Sequence, residues 1–518
     1  MLRRIFKSFF VYLTIGLLLT AGRLQAQLGC RYQLLKAGIH FDSQVSGGKF
    51  SLPELAQQIA KVGLDVAVLT DHDNMKVTYG IRPFQQFLKF SIEDNSIHKY
   101  GTERYFQEIN RLDKNYPRTI LIPGVEAVPY YFWQGSPLTN NLVLKNWHTH
   151  LLVFGIEDPQ VIENLPSLST GLGYSKPDGE IGKYIITHIN HFALMLLYLF
   201  LFILSAVFII RPKKHLTDIA HLHHHKHRYR FSFKALILTL IFGGLLFTHY
   251  PFLPLRYTQY DGEASAGPFQ ALIDYVNKHN GLIFWAHPEV KHEEKREFNI
   301  PLMRQTINIS TDAYPQYITS TSNYTGFAIF WEGMKTIGKP GGLWDMALSE
   351  YCVGVRQRAP WAIGELDFEE SNNIDNITET NTFLFVKEFS RRGVYEAFRS
   401  GRMYATRGHT GDKLLLNDFS VYDLHSGRGA FIGETLTNAR APLALHLSIR
   451  ALAPNIRTEV LIFRNETFIK KIILTGDYDD WFTDDQIKDL SHIYYRVYVG
   501  ESWPTLVTNP IFVKLQAK

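Results

Sequence analysis

The sequence predicts an α/β barrel that is interrupted by a transmembrane helical hairpin and followed by a β-sandwich-like domain. Three observations lead there. Apolar strands alternate with helical segments between Ala37 and Thr406, the pattern of a parallel α/β sheet or barrel. Two charge-free apolar runs in mid-chain have the length a bilayer demands, about 20 residues. From about Arg407 onward the helical patterns give way to short alternating strands separated by turns, as in a sandwich.

At 518 residues the chain exceeds one ordinary core. A hydrophobic content of 46% and a charged content of 20% are globular values. The net charge of +5 comes with no Lys/Arg stripe on a reading motif, so no nucleic-acid partner is expected. Two cysteines, Cys30 and Cys352, exclude a disulfide framework and a cysteine-based zinc site. The stretch "AQLGC" before Cys30 fits lipid acylation poorly, because Gln27 stands where an aliphatic residue is needed.

Residues 1–27 read as a signal peptide or an N-terminal membrane anchor, with Arg3, Arg4 and Lys7 preceding an apolar run. Residues 28–187 form the first part of the barrel. Residues 188–254 are the hairpin, built on the runs Phe192 to Ile210 and Ala235 to about Leu253. Its connecting loop carries Arg211, Lys213, Lys214, Lys226, Arg228, Arg230 and Lys234, and the positive-inside rule makes it cytoplasmic. The barrel and the C-terminal domain are then expected on the external or periplasmic side of the inner membrane; a buried helix pair is the alternative. The loop also holds His215, His221, His223, His224, His225 and His227, a tract that binds divalent metal or forms a polar turn. Residues 255–406 resume the barrel, and 407–518 form the last domain. There the acidic run "GDYDDWFTDD" reads as a solvated loop, since it lacks the spacing of a calcium loop.

Within the barrel, "SLPELAQQIAKVG" opens with Ser51 as cap, Pro53 in the first turn and Glu54 closing a capping box, and Gly63 ends it. The apolar strand "VAVL" follows. The polar residues fall at strand ends. His40 and Asp42 sit two apart in "AGIHFDSQ", on one face if the strand is regular. Asp71 and His72 follow "VAVL", Glu126 follows "LIPGV", His150 comes from "WHTHLLVF", His287 follows "LIFWA", and Asp367 and Glu369 follow "AIG". One strand-end histidine is usually structural. Six segments repeating the pattern suit a cluster of divalent metals on one barrel face.

In order and spacing these segments resemble the PHP (polymerase and histidinol phosphatase) superfamily: His40-Phe-Asp42, Thr70-Asp71-His72, "PGVE", His150, "AHP" at His287 and "GELDFE". "FRSGRMYATRGH" and "TNPIFV" resemble its CehA/McbA-type metallohydrolase branch. The resemblance implies a distorted β/α barrel and two or three divalent ions (Mn, Fe, Mg or Zn). It implies His40, Asp42, His72, Glu126, His150, His287, Asp367 and Glu369 as ligands, with Asp71 ligating or orienting His72. Asp42 and Glu369 stand where the family has histidine, and Ser46-Gly47-Gly48 where an early loop usually supplies a ligand. Hard oxygen donors at the first two positions favour Mn, Mg or Fe over Zn. The expected function is an exported, membrane-anchored hydrolase that uses metal-activated water on a small phosphoester or related ester. The alternative is a catalytically degenerate ligand-binding or sensing module. Arg399, Arg402 and Arg407 face an anionic substrate or form structural ion pairs.

Overall fold

The computed structural model describes residues 31–516, apart from 82–83, 86–87, 173, 175–188, 213–228, 249–255, 261, 301–302, 331–332, 370–372, 412, 488–489, 491 and 502. The predicted signal or anchor segment, Cys30 and the His-rich tract lie outside the described residues.

The barrel strands are β1 (Gln33–Phe41), β2 (Val66–Leu69), β3 (Ile120–Ala127), β4 (Leu151–Phe154), β5 (Leu282–Trp285), β6 (Gly326–Phe330) and β7 (Trp361–Gly364). They are hydrogen-bonded in this order. Beyond β7 the chain closes back on β1: Leu366 N–H donates to Ile39 O (2.9 Å), Phe368 N–H to His40 O (3.0 Å) and Asp42 N–H to Phe368 O (2.9 Å). Val66–Leu69, Leu151–Phe154 and Leu282–Trp285 are buried throughout, as apolar runs covered on both faces must be. The barrel is not all parallel. β4 runs antiparallel to both β3 and β5, so its N-terminal end, where His150 sits, lies level with the C-terminal ends of its neighbours.

Helix α1 (Leu52–Val62) starts at the Ser51/Glu54 capping box and ends at Gly63 in the left-handed conformation, φ 76°. It packs Leu55, Ala56 and Ile59 into the barrel core. The side facing solvent is polar, as its spacing of apolar residues requires.

The transmembrane hairpin is not found. Among the described residues no helix is long and apolar enough to cross a membrane. Helices α2 (Ile189–Val207) and α3 (Phe233–Thr248) pack together, with Thr239 Oγ1 donating to Ser205 Oγ at 2.9 Å. The helices and the apolar runs do not coincide. The first run leaves the helix at Val207, and Ile210–Pro212 then pairs as a strand with Tyr229–Phe231. The described part of the second helix, Phe233–Thr248, has 16 residues and rises about 24 Å against a hydrocarbon core of about 30 Å. The expected membrane partner, and the inner-membrane placement with external domains, fall with the hairpin.

Strands β8 (Thr380–Val386) and β9 (Met403–Arg407) continue the sheet from the first half of β1 and serve two cores. Leu384, Val386, Met403 and Ala405 face the barrel core, while Phe383, Phe385 and Tyr404 face the C-terminal core, the alternation expected of a strand covered on both sides. The C-terminal part stacks two sheets. One consists of Gly429–Phe431, Leu414–Asp423, Leu443–Ala451 and Tyr478–Asp484; the other joins β9 through Leu506–Thr508 to Ile493–Val499 and Thr458–Arg464. The acidic run is therefore largely a strand and not a solvated loop. Its Asp484 is buried against Arg464, 2.6 Å away.

Arg496 fastens this domain to the barrel. Fully buried, it pairs with Asp345 of α4 (Leu343–Cys352) and lies 4.4 Å over the Trp344 ring. Tyr494 Oη also donates to Asp345, at 2.6 Å. Removing the carboxylate leaves a buried guanidinium without its counter-charge. Asp345→Ala is therefore expected to cost about 3–5 kcal/mol, read as a fall in the urea midpoint.

Candidate metal centre

The site is assembled at the barrel mouth around Glu126, at the end of β3. Its carboxylate meets four imidazoles: His72 Nδ1 at 2.8 Å, His150 Nδ1 at 2.5 Å, His287 Nε2 at 3.2 Å and His40 Nε2 at 3.3 Å. The β2–β3 pairing continues past the end of β2 and brings His72 beside Glu126: Glu126 N–H donates to Asp71 O, and Asp73 N–H to Glu126 O.

Around this hub the donor atoms fall into three groups, two of which share His40. They are His72, Glu126 and His150; His40, His287 and Glu365; and His40, Asp42 and Asp367, each with its donor atoms within 4.8 Å of one another. Three of the donors, His40 (φ 73°), His287 (φ 24°) and Asp367 (φ 52°), have left-handed backbone. Such residues cost roughly 1–3 kcal/mol each and persist where the surroundings over-determine them. At His40 the register with β2 slips between Ile39 and Phe41. A bulge of this kind re-aims a side chain, so His40 does not follow regular alternation.

The structure thus brings together His40, Asp42, His72, Glu126, His150, His287 and Asp367. Glu369 is exposed and lines the same cleft, but it joins none of the three groups. Asp71 is buried and accepts from Ser43 N–H (2.8 Å), Ser46 N–H (3.0 Å) and both serine hydroxyls. Ser46 Oγ also lies 3.1 Å from Asp42 Oδ1. Asp71 therefore holds the loop that carries Asp42. Glu365 was missed by sequence reasoning, although it directly follows strand β7. Fully buried, it pairs with His40 Nδ1 and accepts from His287 N–H at 2.8 Å.

The cleft above the hub has a volume of about 710 Å³, and Arg407 lies on its wall. Arg399 instead donates to Asn280 O, and Arg402 lies over Tyr32.

Burial opposes charge on every group here, and pairing overrides it at some of them and not at others. Burial disfavours the Glu126 carboxylate, yet His150, His40 and His72 hold it well below the usual carboxylate range. Burial likewise disfavours the His72 cation, but Glu126 outweighs it and pushes His72 up to about 10. His287 is raised to about 9 against its own burial, chiefly by its hydrogen bond to Glu126. At His150 burial wins, and the ring falls to about 4. Burial also raises Asp42 well above its ordinary value, against the pull of His72 and His40.

The residues present fit divalent metal. His40 Nε2, His72 Nδ1 and His150 Nδ1 are buried and, for all their closeness to Glu126, none makes a directed hydrogen bond. Buried nitrogens in this state are costly unless something else engages their lone pairs. Imidazole and carboxylate together suit Zn, Fe or Mn.

No family model matches the chain, and no curated protein matches it. Among solved structures, a two-domain protein from Bacteroides vulgatus containing a predicted PHP-like metal-dependent phosphoesterase is 12% identical. That match covers 94% of this chain and 96% of the other, with a TM-score of 0.34. A protein from Bifidobacterium adolescentis, described as a candidate metal-dependent phosphoesterase, is 12% identical over 49% of this chain and 67% of its own, with a TM-score of 0.18. A CARDB domain from Pyrococcus furiosus in complex with di-metal ions is 13% identical over 20% of this chain and 93% of its own, with a TM-score of 0.14.

Two pH effects follow from the hub. The metal-free folded protein holds a proton on His72 that the unfolded chain releases above about pH 6.5. Stability from the His72–Glu126 pair is therefore full below pH 6.5 and is lost as pH rises through about 10. Urea denaturation of chelated protein at pH 6, 8 and 10 reads this slope, and Glu126→Gln should flatten it. Conversely, loading divalent metal at pH 7.5 must displace protons, seen as buffer-dependent heats in titration calorimetry.

Proposed function

We propose that this chain is a metal-dependent hydrolase of the PHP type acting on a small phosphoester or a related ester. The observation that carries the reading is one buried carboxylate, Glu126, faced by four imidazoles at the floor of an open cleft. His40 belongs to two of the donor groups, so its ring would be a ligand whichever of the two held an ion. When bound, divalent cations supply Lewis-acid polarisation of the substrate and lower the pKa of water.

The ligands in this reading are His40, Asp42, His72, Glu126, His150, His287 and Asp367, with Glu365 added to the set and Glu369 reaching in from the cleft wall. Asp71 is a positioning residue: through Ser43 and Ser46 it fixes the Asp42 carboxylate. Arg407 offers a guanidinium to an anionic group of the substrate, which supports a phosphoester over a neutral ester.

The test is metal analysis of purified protein together with hydrolysis of p-nitrophenyl phosphate and p-nitrophenyl acetate. Activity should be lost on chelation and return with Mn²⁺. Glu126→Gln should lower it by roughly 100-fold or more, beyond the 10–100-fold typical of residues that only orient ligands, the range expected for Asp71→Asn. Protein without bound metal and without activity in added Mn²⁺ would sink the reading.

A further inference from the structure

A second set of donors stands on the cleft wall, outside the hub. Strands His292–Ile300 and Met303–Thr311 form a hairpin that extends a small sheet with Val143–Lys145 and Phe132–Gln134. At its base His292 is paired in register with Thr311. The hairpin is docked on the segment before β4, because His148 N–H donates to Thr311 Oγ1 at 3.1 Å. This docking brings the His148 and His292 rings to 3.7 Å between centroids, tilted by 31°. Both Nε2 atoms are buried, and neither has a hydrogen-bond partner.

Glu294 completes the set. Its Oε1 accepts from Arg296 Nε at 2.7 Å, and its Oε2 lies 3.8 Å from His292 Nε2. Arg296 is itself held by Asp94 and lies 5.2 Å over the Trp147 ring. One carboxylate oxygen is thus anchored, and the other stands toward the imidazoles. One donor atom from each of His148, His292 and Glu294 falls within a 4.8 Å span.

Two buried imidazole nitrogens without a hydrogen-bond partner are unfavourable unless something engages their lone pairs. We infer that His148, His292 and Glu294 form an additional site for a borderline transition cation of the zinc type, separate from the centre around Glu126. Two histidines and one glutamate are a donor set that zinc accepts, and three protein ligands leave a tetrahedral ion one position to fill. The set is poorer in carboxylate than the hub, which directs the softer cation here and the harder ones to Glu126. His148 and His292 also line the cleft, so an ion held between them clips the hairpin to the barrel mouth and adds positive charge to the cleft wall.

The test counts metal. Full-length protein stripped by chelation is reloaded with Zn²⁺, passed over a desalting column and analysed for bound equivalents. The visible spectrum of the Co²⁺-loaded protein is recorded in parallel. His292→Ala should bind one equivalent fewer than the wild type, and the same loss should appear when it is placed on Glu126→Gln. A Co²⁺ band present in Glu126→Gln should vanish in the double variant. Glu294→Gln, at a half-exposed position, gives the same comparison if His292→Ala fails to fold. Equal metal content and equal spectra in wild type, His292→Ala and Glu294→Gln would overturn the inference. A wild type whose only bound equivalent is the one His292→Ala removes would support this site and defeat the centre at Glu126.

Discussion

The barrel mouth depends on one buried anion. Glu126 lies among four histidine side chains drawn from β1, the end of β2, the start of β4 and the end of β5. Without a charged partner such a carboxylate would be neutral, because burial penalises its ionised form. Here the surrounding rings keep it ionised, and it favours the protonated form of three of them, His40, His72 and His287, in the absence of metal. Protons and metal ions therefore compete for one set of lone pairs. The site is a preassembled cage of candidate donor atoms in which acids and imidazoles face one another.

Holding that cage strains the backbone. Three donors take left-handed conformations, and β1 bulges at His40. The closure of the barrel supports this geometry, because the segment that donates Asp367 also hydrogen-bonds to Ile39, His40 and Asp42. Glu365 ties the same segment to His40 and to the backbone of His287. Ligand placement and barrel closure are one structural event, and a change in either would be felt in the other.

Beyond the barrel, the C-terminal domain is tied to it by buried contacts. Arg496, Asp345, Trp344 and Tyr494 form its buried junction with α4. β8 and β9 face both cores, so the two units share strands instead of meeting across a linker. Arg407, at the end of β9, consequently reaches the cleft wall from the boundary between them.

The order of the strands and the residue types at their ends were legible in the linear sequence, because apolar runs and their punctuating His, Asp and Glu are local features. So were the Ser51/Glu54 cap and the Gly63 stop, which depend on a few adjacent residues. The membrane hairpin was misread because an apolar run in the sequence does not by itself specify a helix that spans a bilayer. Other features needed tertiary structure. The reversed direction of β4 puts His150 at the mouth, the bulge turns His40, and the docked hairpin sets His292 against His148 across a long stretch of chain. Sequence determined which donors the chain owns, since composition and local pattern are written in it. Only the fold decided which donors meet, because a distance between remote residues is set by strand pairing and closure, and these are properties of the whole barrel.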